Sequence, residues 1–430
     1  MKQSLYQRAI HLLGHRGIIA IIAGLLALRA FYHLLAGVYY FRGDAGFDFR
    51  YFWVAGRMWA DGRNPYGSDY LGTASKLIAD GHIPEVWAYP PNWWPISSSL
   101  GLLGIVRANL LWSLTGVALC FASSFLIASA FRWAHQSTSH PVRDLLVGAG
   151  AALPLIHFFG TSALEATSLT LAIGQTSLLI YFGIAALLYG IARGSRLICA
   201  IALSIIFLKP HIGLPFAALF LVYNSWSRQA LVLAAAVSVI MAAPALWIDP
   251  LSSISMLRNM ARYDGIVPAT LPQATTGLRL VIWEVFGFDL GGLGSGIIAA
   301  LAAALVPMLF RRFHTGDDEQ RILWWCTTAT VATTIALAPL HYYDFVIAAS
   351  LMPAVLVSPI RYSIVAILST ALILRADTLG KLTGLYDHSV GIFEGAPIAT
   401  AGGFLLLIAA LGAVGQLNSA QRRVAGRGAG

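Results

Sequence analysis

Charge is what this sequence has least of. Its 430 residues include only 28 Lys and Arg and 19 Asp and Glu, against 58% hydrophobic residues and a mean hydropathy of +0.72. So little polar surface cannot face water over a chain of this length, which excludes a soluble globular fold and makes lipid the expected solvent. Cysteine is scarce as well: Cys120, Cys199 and Cys326 lie far apart in apolar stretches, with no CxxC or Cys/His spacing. A disulfide framework and a thiolate metal site are therefore set aside in favour of three small buried hydrophobes. No repeat of about 20 to 50 residues recurs, no Ser- or Pro-rich linker divides the chain, and its two halves are unlike. A single membrane domain over residues 1–430 is expected.

What is present is a series of apolar runs, near 18–37, 108–131, 145–163, 174–192, 197–208, 212–224, 230–248, 291–310, 322–338, 345–358, 362–374 and 397–415. They predict an all-α polytopic fold of about 12 transmembrane helices, several of them shorter than the ~20 residues of a full span. The first run follows MKQSLYQRAIHLLGHRG and lacks a small-residue cleavage site, so an uncleaved anchor is expected rather than a signal peptide. An even count puts both termini on one side. Arg132, Arg143, Arg193, Arg196, Arg228, Arg311, Arg312, Arg321 and Arg361 fall on that side, with Asp144, Asp317, Asp318 and Glu319 as its only acids. The net charge of +9 is thus a topology signal rather than a nucleic-acid footprint, and the basic side is the cytoplasm. The acids gather on the opposite side, which fits a bacterial inner membrane. The longest outside connections are 38–107, 249–290 and 375–396, and function is sought there.

In the first of these loops, GDAGFDFRYFWVAGRMWADGRNPYGSDY spaces Phe49, Phe52, Trp53, Gly56 and Trp59 along one helical face, with Arg50, Arg57 and Asp61 largely on the other. The pattern predicts an interfacial amphipathic helix. Asp48 precedes it, either as an N-cap or as a general base whose pKa is raised by Phe47, Phe49, Tyr51 and Phe52 around it. Asp44 has the same ambiguity and is a further candidate for substrate contact. Farther on, WAYPPNWWPISSS brings Trp87, Tyr89, Trp93 and Trp94 together, either as a belt at the headgroup level or as a platform for sugar or lipid.

Charges also occur at membrane depth. In IIFLKPHIGLPF, Lys209 stands between two apolar runs, and Pro210, Gly213 and Pro215 preclude one regular helix through the site. Such a cation either snorkels to the surface or meets an anion. A phosphate held by Lys209 and His211 would use both the charge and the freed backbone amides. Gln175 of LAIGQTSLL is a candidate hydrogen-bonding residue within the membrane. His341 of ALAPLHYYDFVI, with Asp344 close by, is either structural or a tunable donor on the outer side. Arg258 and Arg262, one turn apart in SMLRNMARYDG, read first as a solvated helix face.

Taken in order, DFRYFWVAGRMWADGRNPY, YPP, GQTSLL, LKPHIGLP and LHYYDFV resemble the polyprenol-phosphate-mannose-dependent mannosyltransferases of glycosyltransferase family 87, of the GT-C class, from about Asp44 to Asp344. The resemblance implies a GT-C-like fold with interfacial helices in the first extracytoplasmic loop, and transfer of a hexosyl residue, mannose first, from a polyprenyl-phosphate donor at the outer face of the membrane. By that resemblance Asp48 is the catalytic base, with inversion at the anomeric carbon and a glycolipid or glycan acceptor. His341, Lys209, Arg262 and Arg50 would hold the donor phosphate, while Tyr89, Trp93, Gln175, His211 and Asp44 would line the substrate site. Membrane lipids are the surroundings. No nucleic-acid partner, metal or cofactor is expected, since no DxD carboxylate pair of the metal–nucleotide type occurs. The competing function is a secondary transporter or flippase, which also uses broken helices and buried charges, but the missing inverted repeat and the long outer loop weigh against it.

Overall fold

The computed structural model describes residues 16–39, 45–78, 83–134, 152–266, 272–313, 319–356, 360–384 and 395–427. Among these residues all regular structure is helical. The first part of the chain forms α1 (Arg16–Tyr39), α2 (Phe49–Ala60), α3 (Tyr70–Leu77), α4 (Trp94–Gly101) and α5 (Ile105–Ala134). The middle forms α6 (Ala152–Ser162), α7 (Glu165–Ile173), α8 (Ser177–Ala192), α9 (Arg196–Ile206), α10 (Pro210–Tyr223), α11 (Ser225–Ile248) and α12 (Ser252–Ile266). The last part forms α13 (Leu278–Phe286), α14 (Gly291–Phe313), α15 (Glu319–Leu337), a 3-10 helix (Tyr342–Leu351), α16 (Met352–Leu356), α17 (Ile360–Leu374), α18 (Ala376–Thr383) and α19 (Ala396–Arg427).

Three described helices are long and apolar enough to cross a bilayer on their own: Ile105–Ala134, Ser225–Ile248 and Gly291–Phe310. The pair α17 and α18, bent by 75° at Arg375, makes a fourth if counted as one broken span. Other apolar runs fold into shorter helices, among them α8, α9 and α10, so helix length alone establishes fewer crossings than the expected count of about 12. The exposed sides of α5, α11 and α14 carry Leu114, Phe125, Val239, Ile240, Leu301 and Leu305, as a lipid-facing surface requires.

At the centre stands α15, every residue of which is buried from Ile322 to Ala336. Four of its five threonines return their hydroxyls to carbonyls one turn back, as Thr327 does to Leu323 at 2.8 Å and Thr334 to Thr330 at 2.8 Å, so a polar-looking sequence packs as core. Around α15 lie α8, α10, α14, α19 and the 3-10 helix.

The first-loop helix α2 departs from expectation. It is buried around almost its whole circumference, including Arg50 at 3% exposure, rather than lying half in water. It meets α4 at a backbone crossing so close that a Cβ on Gly56 would fall 1.8 Å from the Ser97 carbonyl oxygen. Glycine is required there because no side chain fits. Only the C-terminal side opens to solvent, where Arg57 and the following Asp61 approach to 3.6 Å.

Candidate active site

Three chain breaks bring the polar residues of the site together. The first is the turn between α7 and α8. Gly174 adopts the left-handed conformation with φ +73°, and a Cβ there would strike Phe49 Cβ at 2.4 Å. This explains the Gly-Gln pair: glycine ends the helix in a conformation that other residues resist, and Gln175 follows it into the interior. The same turn receives the first loop, since the Asp48 N–H donates to the Ile173 carbonyl at 2.9 Å and Trp112 Nε1 donates to the Gly174 carbonyl at 3.1 Å.

The second break is Lys209-Pro210. Proline at the first position of α10 disfavours helical geometry for the residue before it, and Lys209 is extended at φ −118°, ψ 93°. The backbone remains satisfied, because the Lys209 carbonyl accepts from Ile212 at 3.0 Å and Gly213 at 2.9 Å. The third break, Ala338–His341, separates α15 from the 3-10 helix. The Leu340 carbonyl is held there by Thr276 through its N–H at 2.7 Å and its hydroxyl at 2.8 Å.

Asp48 does not cap α2. Its backbone is helical, at φ −79°, ψ −26°, and its side chain makes no cap hydrogen bond. The carboxylate instead accepts from Gln175 Nε2 at 2.9 Å, which resolves the N-cap alternative against capping. Gln175 Nε2 also lies 3.1 Å from the Tyr343 hydroxyl and 3.4 Å from the Tyr89 hydroxyl, while its Oε1 accepts from the Thr176 N–H at 3.0 Å. That last bond fixes the amide so that its NH2 faces the carboxylate. Asp48 is half-buried and ringed by protein. Burial pushes its pKa up to about 6, opposed by the Gln175 hydrogen bond and the charge of Lys209.

Beside this carboxylate lies a compact charge cluster. Lys209 Nζ is 2.6 Å from Asp344 Oδ1 and 3.1 Å from Ser177 Oγ, and Ser177 itself donates to Asp344 at 2.6 Å. The ammonium also faces the Tyr343 ring at 4.9 Å. Both members of the ion pair are buried, at 3% and 0% exposure. His211 Nε2 stands 4.0 Å from the other carboxylate oxygen, and the His341 N–H lies 3.3 Å from it. The His341 ring packs on Tyr343 at 5.1 Å and its Nδ1 is 3.1 Å from the Ala274 carbonyl. Burial lowers the pKa of His341 to about 4, with Asp344 opposing and Lys209 assisting, so the ring is neutral at physiological pH.

Of the residues singled out from sequence, Asp48, Gln175, Tyr89, Lys209, His211 and His341 meet in one polar network through Tyr343 and Asp344. Others do not. Trp93 is fully buried and donates its indole N–H to the Leu208 carbonyl at 3.0 Å, so it anchors the Lys209 turn instead of offering a face to substrate. Arg50 is interior and binds the Ala45 carbonyl at 3.2 Å, organising the turn before α2. Arg262 is exposed on α12, with no contact to the cluster; its neighbour Asn259 instead ties α12 to the Trp87 carbonyl at 2.9 Å. Asp44 lies outside the described residues. Lys209 is not a free cation awaiting a phosphate but half of an ion pair. Asp344, Ser177 and Tyr343 are the residues that sequence reasoning undervalued, although a lysine at membrane depth demanded a carboxylate and Asp344 was among the few acids in an apolar setting.

No curated protein matches the chain. The sequence model of glycosyltransferase family 87 matches residues 87–359, which include Tyr89, Gln175, Lys209 and His341 but begin after Asp48. The match covers more than half of the chain and, with the apolar spans, makes it a membrane glycosyltransferase rather than a transporter. The chain belongs to glycosyltransferase family 87.

Proposed function

We propose that the protein transfers a hexosyl residue, mannose first, from a polyprenyl-phosphate donor to a hydroxyl of a lipid or glycan acceptor, with inversion, in the cleft headed by Asp48. The observation that carries this reading is the Asp48 carboxylate, poised by burial near pH 6 and aimed by the Gln175 amide. A base so placed is largely ionised at neutral pH and still basic enough to take an acceptor proton. In the proposed step Asp48 removes the hydroxyl proton as the acceptor oxygen attacks the anomeric carbon. The bond from that carbon to the donor phosphate oxygen breaks, and the polyprenyl phosphate departs with both electrons. His211, at the edge of the Lys209–Asp344 pair, supplies a hydrogen-bond donor toward the leaving phosphate, and Lys209 adds positive potential from behind. No metal or cofactor takes part in this scheme; the lipid-linked sugar is a substrate.

A lipid-borne donor accounts for the depth of the cleft. We further infer about 12 crossings, the shorter helices supplying those that three long ones do not, in a bacterial cytoplasmic membrane with both termini inside and the cleft opening outward. The direct test incubates purified wild-type protein and Asp48→Asn with radiolabelled polyprenyl-phosphate mannose and membrane lipid extract. Transfer by the wild type and its loss in the variant is the expected result, and equal transfer by both refutes Asp48 as the base.

A further inference from the structure

On the far face of the 3-10 helix a second polar cluster lies beside an apolar cavity. The Tyr342 hydroxyl turns away from Tyr343 and lies 3.1 Å from both Glu165 Oε2 and the Ile373 carbonyl. Arg375 Nε approaches Glu165 Oε1 to 3.8 Å, and Thr378 donates to the same carboxylate through its hydroxyl and its N–H. Arg29 and His33, one turn apart on α1, are close enough to Glu165 and Arg375 to interact electrostatically. Arg29 Nε donates to the Ala163 carbonyl at 2.9 Å, but its Nη2 is buried without a partner. His33 is 7% exposed and its Nε2 is likewise buried and unpartnered. Two guanidinium groups against one carboxylate leave a surplus positive charge, and Asp377 does not offset it because Lys381 holds that carboxylate at 2.9 Å. A surplus charge with unpartnered donors in an apolar setting calls for an anion.

Against this cluster lies a cavity of about 420 Å3, lined by Leu26, Ile156, Gly160, Leu164, Ile367 and Leu374 among others. The wall residue Ile373 accepts from the Tyr342 hydroxyl, Leu26 is one turn from Arg29, and Leu164 and Leu374 adjoin Glu165 and Arg375, which sets the charged groups beside the cavity as its rim in this proposal. The polar side chains in the wall are satisfied from within. His157 Nδ1 and Nε2 meet Ser124 Oγ at 3.1 Å and the Ala349 carbonyl at 2.9 Å, and Thr161 and Thr370 donate to carbonyls one turn back. An apolar chamber whose polar groups need no water takes hydrocarbon.

We propose that this is a binding site for an anionic glycerophospholipid, with its phosphodiester on Arg29 and Arg375, His33 as a further donor, and one acyl chain in the cavity. One negative charge matches the surplus, and guanidinium forks suit phosphate oxygens. The reacting donor is a different molecule, because its phosphate must reach the Asp48 side of the 3-10 helix and this rim is on the Tyr342 side; that exclusion rests on the proposed function above.

The test is native mass spectrometry of the full chain in neutral detergent, titrated with phosphatidylglycerol, phosphatidylcholine or undecaprenyl phosphate, with inorganic phosphate as competitor. Phosphatidylglycerol is expected to bind about tenfold tighter than phosphatidylcholine, and Arg375→Gln to abolish that preference. Gly160→Leu fills the cavity at a position where an added Cβ meets no atom within 4 Å, so it should fold and retain about tenfold less of either phospholipid. Equal phosphatidylglycerol retention by the wild type and both variants overturns the proposal. So does loss of undecaprenyl phosphate alone in Gly160→Leu, which would make the cavity the donor's tail groove, and so does displacement by inorganic phosphate, which would reduce the rim to an anion pocket. Asp48→Asn is the control expected to keep full lipid retention, so failure of the transfer reading and failure of this one remain distinguishable.

Discussion

Burial raises Asp48 to about 6 even though Gln175 donates to it and Lys209 lies within Coulombic reach. The carboxylate is therefore mostly charged at pH 7 and mostly protonated at pH 5. If it is the base, kcat/KM should climb through pH 6 and level off above it. Asp48→Asn should remove that inflection along with about 10²- to 10⁴-fold of the rate, as a pH series with labelled donor would reveal. Stability carries the opposite sign. A folded-state pKa above the unfolded value means that ionisation costs stability, so the favourable contribution is complete below the unfolded pKa of 3.8 and is lost as pH rises through 6. Asp48→Asn, which cannot ionise, should raise Tm relative to wild type at pH 8, by on the order of 2 to 3 kcal/mol of unfolding free energy, and not at pH 4. The Lys209–Asp344 pair obeys different arithmetic. Removing the cation alone strands a buried carboxylate, so Lys209→Met should cost roughly 3 to 5 kcal/mol in a thermal melt. The double variant Lys209→Met with Asp344→Leu should recover most of it, because no uncompensated charge remains.

Elements succeed here by where they stop. The glycine end of α7 delivers Gln175, the Lys209-Pro210 break delivers the ammonium, and the 3-10 helix delivers Tyr343 and Asp344. Gly174→Ala tests this at one point: the left-handed conformation costs a non-glycine residue about 1 to 2 kcal/mol, and the new methyl meets Phe49. Gln175 should then shift off Asp48, kcat should fall at nearly unchanged protein yield, and the acid limb of the pH profile should move upward as the carboxylate loses its donor. These breaks were legible because Gly, Pro and a charge inside an apolar run each state a local physical cost. Lys209 and Asp344 are 135 residues apart, and nothing local says that one neutralises the other. The amphipathic reading of α2 failed for a related reason. Helical spacing marks Arg50 as polar, but the Ala45 carbonyl satisfies it inside, and Gly56 lets α4 cover the face that spacing assigns to water. Trp93 was legible as an aromatic and not as the donor to Leu208 that makes it structural.

On the scale of the whole molecule, the polar network stands at the ends of two short helices. From the Arg193 and Arg196 end, the 16 residues of α8 rise about 24 Å and the 11 residues of α9 about 16 Å, both short of the ~30 Å hydrocarbon thickness. Ser177 and Lys209 stand at the far ends of these helices, which under the proposed topology places them within the bilayer's span. Under the proposed function that depth would let a lipid-borne phosphate arrive sideways from its own leaflet, and Lys209, buried there, needs Asp344 as its counter-ion. The proposal that the site faces outward rests on the basic residues at the opposite end. Site-directed labelling decides it: Ser75→Cys on α3 and Arg196→Cys at the start of α9 are both exposed, while Cys120, Cys199 and Cys326 are buried and inert toward a bulky reagent. In intact cells made permeable only at the outer membrane, an impermeant maleimide should label Ser75→Cys at once and Arg196→Cys only after the inner membrane is lysed. The reverse pattern would put the Asp48 cleft on the cytoplasmic side and remove the reason for a polyprenyl-phosphate donor, since nucleotide sugars would be at hand there.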